Sequence, residues 1–200
     1  PRGMGKTTLV NRAVAEIRAR YGDRFAVGVM TVQGTLGTHD SDDAFLTVTP
    51  GLFLEAFSIE PPAPADWDGW RRLFARQGGV FDRPVILLID EVDSLPSAVL
   101  HRLVATFRKI YLSRESHHLH GLALVGVRAV LGVESTSGSP FNVQRSLHVP
   151  NLTREEVIEL FAQYATESGQ PVLPEVVAKV FETTRGQPGL VSWFGELLTA

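Results

Sequence analysis

The stretch Gly3-Met4-Gly5-Lys6-Thr7-Thr8 stands immediately before a helical run, and its reading decides the fold. Leu9, Val10, Ala13, Val14 and Ile17 recur at helical spacing with Arg12, Glu16, Arg18 and Arg20 between them, so a helix is expected to about Tyr21, stopped by Gly22. Glycines at a helix entrance let the backbone curl until successive N–H groups point at one anion. The helix adds its unpaired N–H groups and the positive end of its dipole. On this reading Gly3, Met4 and Gly5 cradle a phosphate chain, and Lys6 places a full charge near its β- and γ-phosphates. Thr7 offers a hydroxyl to Mg²⁺, and Thr8 reaches the α-phosphate. The full pattern is G-x-x-x-x-G-K-[ST], and counting back from Gly5 puts its first glycine one position ahead of Pro1. The chain thus opens inside the motif, and a piece of a longer polypeptide is expected. Taken alone, these residues also fit a Gly-rich helix start with a solvated lysine, so a partner motif has to decide.

That partner is Val85-Ile-Leu-Leu-Ile89-Asp90-Glu91. A continuous apolar run of strand length is the mark of a parallel strand buried on both faces. In an open parallel sheet, ligands sit at the carboxyl ends of the strands, where this run delivers two carboxylates. Asp90 is suited to Mg²⁺, and Glu91 to orienting and deprotonating a water that attacks the γ-phosphorus. The alternative, a solvated acidic turn, loses weight once Lys6 and Thr7 supply the complementary half of the same site.

Around these two motifs the chain alternates. Phe25–Val32 reads as a strand, Gly34–Asp43 as a loop, Leu52–Phe57 as a short helix, and Pro61, Pro62 and Pro64 as a rigid connector. Asp66 is placed to cap a helix running to about Arg76, and Ser97–Ser113 reads as a long helix. Leu122–Val127 is expected as a third strand, 132–140 as a Gly/Ser-rich loop, and Leu147–Val149 as a short edge strand. After Pro150 the pattern is helical: Thr153 and Glu156 form a capping box, and further helices begin near Leu173-Pro174 and at Gly189. Strands alternating with helices predict an α/β protein, three layers with a mainly parallel sheet. Residues 1–150 are read as that α/β domain, and 151–200 as the start of a small helical subdomain.

The bulk composition narrows the classes. The chain has 200 residues, no cysteine and a net charge of −3. That excludes disulfides, thiolate metal sites and a cysteine nucleophile, and gives no global attraction to nucleic acid or membrane. No apolar run reaches the roughly 18 residues of a membrane span. A cytoplasmic setting is expected.

With both motifs in view, the chain resembles the AAA-type P-loop ATPases over essentially its whole length. Gly3–Thr8 resembles Walker A, Val85–Glu91 resembles Walker B with the catalytic glutamate at Glu91, and Leu122–Arg128 resembles the sensor-1 strand. Thr184-Arg-Gly186-Gln-Pro188-Gly-Leu-Val191 resembles the Gly-x-Pro motif of the helical lid in signal-transduction ATPases with numerous domains and in prokaryotic relatives of origin-recognition ATPases. The segments 139–142 and 152–156 resemble uncharacterised bacterial AAA-like ATP-binding proteins. The resemblance implies ATP and Mg²⁺ as ligands, Lys6 and Glu91 as catalytic residues, and Thr7 and Asp90 at the metal. It also implies that Arg128 reports on the γ-phosphate and that Pro188 couples the lid to the nucleotide. The chain departs from the pattern at Gly186-Gln-Pro-Gly189, where no sensor-2 arginine follows a Gly-Asp pair, and at Ala129, where close relatives carry aspartate. Arg102, Arg108 and Arg114, spaced by six, share no helical face, so no arginine finger is identified.

The main expectation is an ATP-hydrolysing switch in a larger multidomain protein, with homo-oligomerisation open. A nucleotide-gated interaction module with little turnover and an ATP-dependent nucleic-acid loader are the alternatives; DNA binding is not indicated by the charge. His117, His118 and His120 read as a solvated surface loop in preference to a zinc site. Trp67, Trp70 and Phe74 read as the buried face of a helix, since the neighbouring Arg71, Arg72 and Arg76 supply only part of the basic surround that base stacking needs.

Overall fold

The computed structural model describes residues 5–37, 41–126 and 149–199. The chain divides into two compact units, Val10–Gln144 and Pro1–Leu9 with Arg145–Ala200. Among the described residues, no helix is long and apolar enough to cross a membrane.

In the larger unit, β1 (Ala26–Thr31), β2 (Val85–Asp90) and β3 (Leu119–Leu124) form a parallel sheet in the order β1-β2-β3. The register pairs Ala26 with Val85 and Thr31 with Asp90, so β2 is central and Asp90 is its last residue. Strand periodicity sends alternate residues to opposite faces. Val27 and Leu88 pack on Val10 and Val14 of α1 (Lys6–Tyr21). Met30, Val85, Leu87 and Ile89 face the other way, into the main core, with α2 (Asp42–Phe57), α3 (Trp67–Arg72) and α4 (Ser97–Leu112). Helices therefore cover both faces, which is why β2 carries no polar residue before Asp90. At Gly28 the approach is so close that a Cβ would come within 2.5 Å of the Phe57 ring.

Three local expectations are corrected. The helix expected at Leu52–Phe57 begins ten residues earlier, inside the stretch read as a loop. It runs through Pro50 because Phe45, Leu46, Leu52, Phe53 and Ala56 all face the core, outweighing the backbone bond that proline removes. The helix capped by Asp66, whose Oδ1 accepts from Gly69 N at 2.6 Å, ends at Arg72 instead of near Arg76. His117 and His118 are buried, not solvated. His118 N donates to Phe74 O at 2.7 Å and Val85 N donates to His118 O at 2.8 Å, so the histidines lead directly into β3, which starts three residues before its expected position. The expected strand at Leu147–Val149 and loop at 132–140 lie outside the described residues, apart from Val149, which is not in a strand.

The smaller unit contains α5 (Arg154–Ser168), α6 (Pro174–Thr184) and α7 (Pro188–Thr199) around Val157, Phe161, Val177, Val180 and Val191. Thr153 and Glu156 make the reciprocal capping box. The α6–α7 turn is built on two successive left-handed residues, Arg185 at φ 51° and Gly186 at φ 71°. Gly186 O accepts from Leu152 N at 2.8 Å, and Asn151 Nδ2 donates to Arg185 O at 2.9 Å.

A Cβ at Gly186 would collide with the Leu152 carbonyl as well as meet an unfavourable φ. Gly186→Ala is expected to destabilise the smaller unit by about 1–3 kcal/mol, read as a lower denaturation midpoint; an unchanged midpoint would contradict this account of the turn. His118 supplies a second test. Burial, then the charge of Arg76, hold its pKa below 6.5, opposed by Asp82, and among the described residues its Nδ1 has no hydrogen-bond partner. Above that value the histidine is neutral both folded and unfolded. As pH falls, the unfolded chain takes up the proton first, so stability is lost from about pH 6.5 downward through the folded pKa. The acid-side fall in Tm should be shallower in His118→Gln than in the wild type, and equal slopes would remove His118 from the explanation.

Candidate functional site

The carboxyl end of β2 is the most constrained point of the larger unit. Asp90 is 2% exposed, and its Oδ1 accepts from the amide of Glu91 at 2.9 Å. A buried carboxylate without such a donor would be costly. Making this bond coincides with a sharp change of direction: Glu91 is left-handed, at φ 62° and ψ 34°. Left-handed backbone is uncommon for a residue with a Cβ and carries strain that the surroundings must hold in place.

The surroundings do hold it. Val125 N donates to Ile89 O at 2.8 Å and Val92 N to Val125 O at 3.1 Å, tying the exit of β2 to that of β3. On the other side Val32 N donates to Asp90 O at 3.2 Å, and Ser94 Oγ donates to Val32 O at 3.1 Å. Gly126 completes the clamp, because a Cβ there would fall 2.7 Å from Asp93 Oδ1. The half-buried Glu91 is thus presented at the strand ends by a backbone fixed from both flanks. The left-handed state of Glu91 and the approach of Asp93 to Gly126 escaped the sequence reading. The spacing Asp90-Glu91-x-Asp93 was visible, but nothing in it signalled a reversal at a non-glycine residue.

The residues expected to form a phosphate loop fall in the other unit. Gly5 has φ 69° with open space where a Cβ would lie, and its carbonyl accepts from Leu9 N at 2.9 Å. Lys6 is the first helical residue, and Thr7 and Thr8 complete the first turn of α1. Gly5 therefore has the backbone conformation that a curled, anion-facing amide run needs. Gly3, Met4 and Arg128 lie outside the described residues. Pro188 is the first residue of α7. It follows Gln187, whose side-chain oxygen accepts from Leu190 N, so the Gly186-Gln-Pro188 turn caps that helix.

The donor chemistry at the β2 exit suits a particular kind of ion. No cluster of three His, Asp or Glu side chains able to hold a metal occurs among the described residues; Asp90 places a buried carboxylate at the β2 exit. A carboxylate oxygen is the donor type that a hard cation such as Mg²⁺ takes, together with water and phosphate oxygens.

No protein-family model matches the chain, and no curated protein matches it in sequence. Among solved structures it is similar to the Walker-type ATPase of Pyrococcus abyssi, with a TM-score of 0.63 and 18% identity. The match covers 95% of this chain and 58% of that one. The chain thus spans somewhat over half the length of that neighbour. The likeness defines the architecture: an α/β P-loop fold with a helical C-terminal region.

Strain at Glu91 makes a measurable prediction. Glu91→Gly relieves the left-handed penalty while adding unfolded-state freedom, so stability should stay level or rise by up to about 1 kcal/mol. Chemical denaturation checks this, and a loss well beyond that range would show that the glutamate side chain, not its backbone, holds the turn.

Proposed function

We propose that the chain is the nucleotide-binding part of an ATPase, with Mg²⁺-ATP held by Gly3–Thr8 and the β2 exit. The observation that carries this reading is Asp90, buried at the end of the central parallel strand with Glu91 held beside it in a strained turn. A fold shared with a Walker-type ATPase supports it.

In this proposal the amides of Gly3, Met4 and Gly5 and the first turn of α1 receive the phosphates, and Lys6 neutralises the β- and γ-oxygens. Thr7 and Asp90 would hold Mg²⁺, which supplies positive charge to the same oxygens. Glu91 takes a proton from water as the water oxygen bonds to the γ-phosphorus and the bridging bond to ADP breaks, leaving ADP and phosphate. Arg128 senses the γ-phosphate. Residues 151–200 act as a lid whose turn at Pro188 follows the nucleotide. Its supports are the rigid Arg185-Gly186 turn and the capping role of Gln187. In the cell we place this activity in the cytoplasm, as part of a larger multidomain switch.

Two variants test the assignment. Lys6→Ala should weaken ATP binding by tenfold or more, that is by at least about 1.4 kcal/mol. Glu91→Gln should bind ATP nearly as well as the wild type but lower turnover by about 10²-fold or more. Equal turnover in Glu91→Gln and wild type would overturn the role of Glu91. Tight binding without turnover in either protein would favour the nucleotide-gated module.

A further inference from the structure

The arginines beside the tryptophan helix have a structural setting that the proposed ATP site does not use. Trp70 and Phe74 are fully buried and Trp67 is packed against the same core. Trp70 and Phe74 therefore offer no face for stacking a base. The arginines between them point elsewhere: Arg71, Arg72 and Arg76 form one wall of a cavity of about 410 Å³, opposite Glu115, Ser116 and His117.

The two walls are stitched together by backbone. Arg76 N donates to Ser116 O at 2.9 Å, His118 N donates to Phe74 O at 2.7 Å, and Ala75 and His117 form an antiparallel bridge. His117 is 4% exposed. Its Nδ1 lies 2.9 Å from Ser113 O, which can only accept, so Nδ1 carries the proton in the neutral ring. That leaves Nε2 as an acceptor facing Arg71 Nη1 at 3.5 Å, which orients the guanidinium. Arg71 also pairs with Asp68 at 3.4 Å. Among the described residues, Arg72 and Arg76 have no carboxylate within ion-pair distance, and both are exposed.

Three guanidiniums therefore meet one lining carboxylate in a chain whose net charge is −3. Planar forked donors in a fixed groove match the oxygens of phosphate groups. Preorganised walls reduce the ordering cost of binding. Asp68 and Glu115 flank the arginines, and the buried Trp70 and Phe74 beside them offer no stacking platform of the kind a nucleic-acid track uses. We infer that this groove is a second anion site, separate from the Gly3–Thr8 loop, that binds a compact polyphosphorylated small molecule through Arg71, Arg72 and Arg76.

Inorganic tripolyphosphate is the probe, titrated calorimetrically into the whole chain carrying Lys6→Ala, which weakens the contribution of the phosphate loop to the signal. Binding should persist in that background. It should weaken by about tenfold or more when Arg72→Gln and Arg76→Gln are added, the loss of about one charge-assisted hydrogen bond. Arg72→Lys with Arg76→Lys should fall between. In parallel, amide shifts on the wild-type protein should include residues 71–77 and 115–117, a readout that needs no variant to fold. No binding to Lys6→Ala, an affinity change under twofold in the glutamine variant, or shifts confined to the first turn of α1 would each overturn the site. Displacement of tripolyphosphate by a single-stranded oligonucleotide that binds more tightly would overturn the small-molecule assignment in favour of nucleic acid.

Discussion

A carboxylate buried at the end of a parallel strand needs a donor, and Asp90 Oδ1 accepts from the next amide in the chain. Several neighbouring features are consistent with that requirement. Accepting from Glu91 N accompanies a turn into left-handed space, and the turn sends Val92 back to pair with Val125 while Ser94 reaches Val32. The exits of β1, β2 and β3 are thereby joined by hydrogen bonds beyond the sheet proper. Loops at strand ends usually tolerate change. Here the segment after β2 is bound on both sides, with Gly126 leaving no room for a side chain against Asp93. The strain at Glu91 is sustained because the flanking bonds leave the backbone no easy alternative.

The smaller unit solves a related problem with different residues. Two helices must meet at a tight angle, and the chain does so through consecutive left-handed residues, one of them the non-glycine Arg185. The carbonyls freed at that turn are satisfied from outside it, by Leu152 N and Asn151 Nδ2 ahead of α5. The segment that starts the unit is thus hydrogen-bonded to the turn that precedes its last helix. Neither left-handed residue is isolated from partners, in keeping with the general need to pair backbone groups wherever regular structure stops.

Legibility followed the strength of the local signal. β2 was readable because five consecutive apolar residues of strand length admit few alternatives, and the caps at Asp66 and Thr153 were readable because capping is chemistry between residues three apart. The start of α2 was hidden: Pro50 and Gly51 argue against a helix locally, and the decisive term is the burial of Phe45 and Phe53 against elements far away in sequence. His117 and His118 misled in the same manner. Their polarity implied solvent, while their backbone is spoken for by Phe74 and Val85. At the candidate site the residue types Asp90 and Glu91 were legible, but the backbone state of Glu91 was not, because it is imposed by hydrogen bonds from strands that are distant in sequence.

The same limitation explains why aromatic and basic residues interleaved in sequence had to be separated by structure. Trp67, Trp70 and Phe74 recur at helical spacing, yet the helix stops at Arg72; Leu73, Phe74 and Ala75 still donate to the carbonyls three residues back, and from Arg76 the chain is held by Ser116, with His118 N donating to Phe74 O. Phe74 lies fully in the core, while Arg72 and Arg76 are exposed on the groove. Stability and charge presentation are thereby divided between neighbouring residues. The aromatic side chains bury area and fix the segment, whereas the two exposed guanidiniums contribute little to the core. Substitution at Arg72 or Arg76 consequently perturbs the electrostatics of the groove far more than the packing beneath it, and substitution at Trp70 or Phe74 does the reverse.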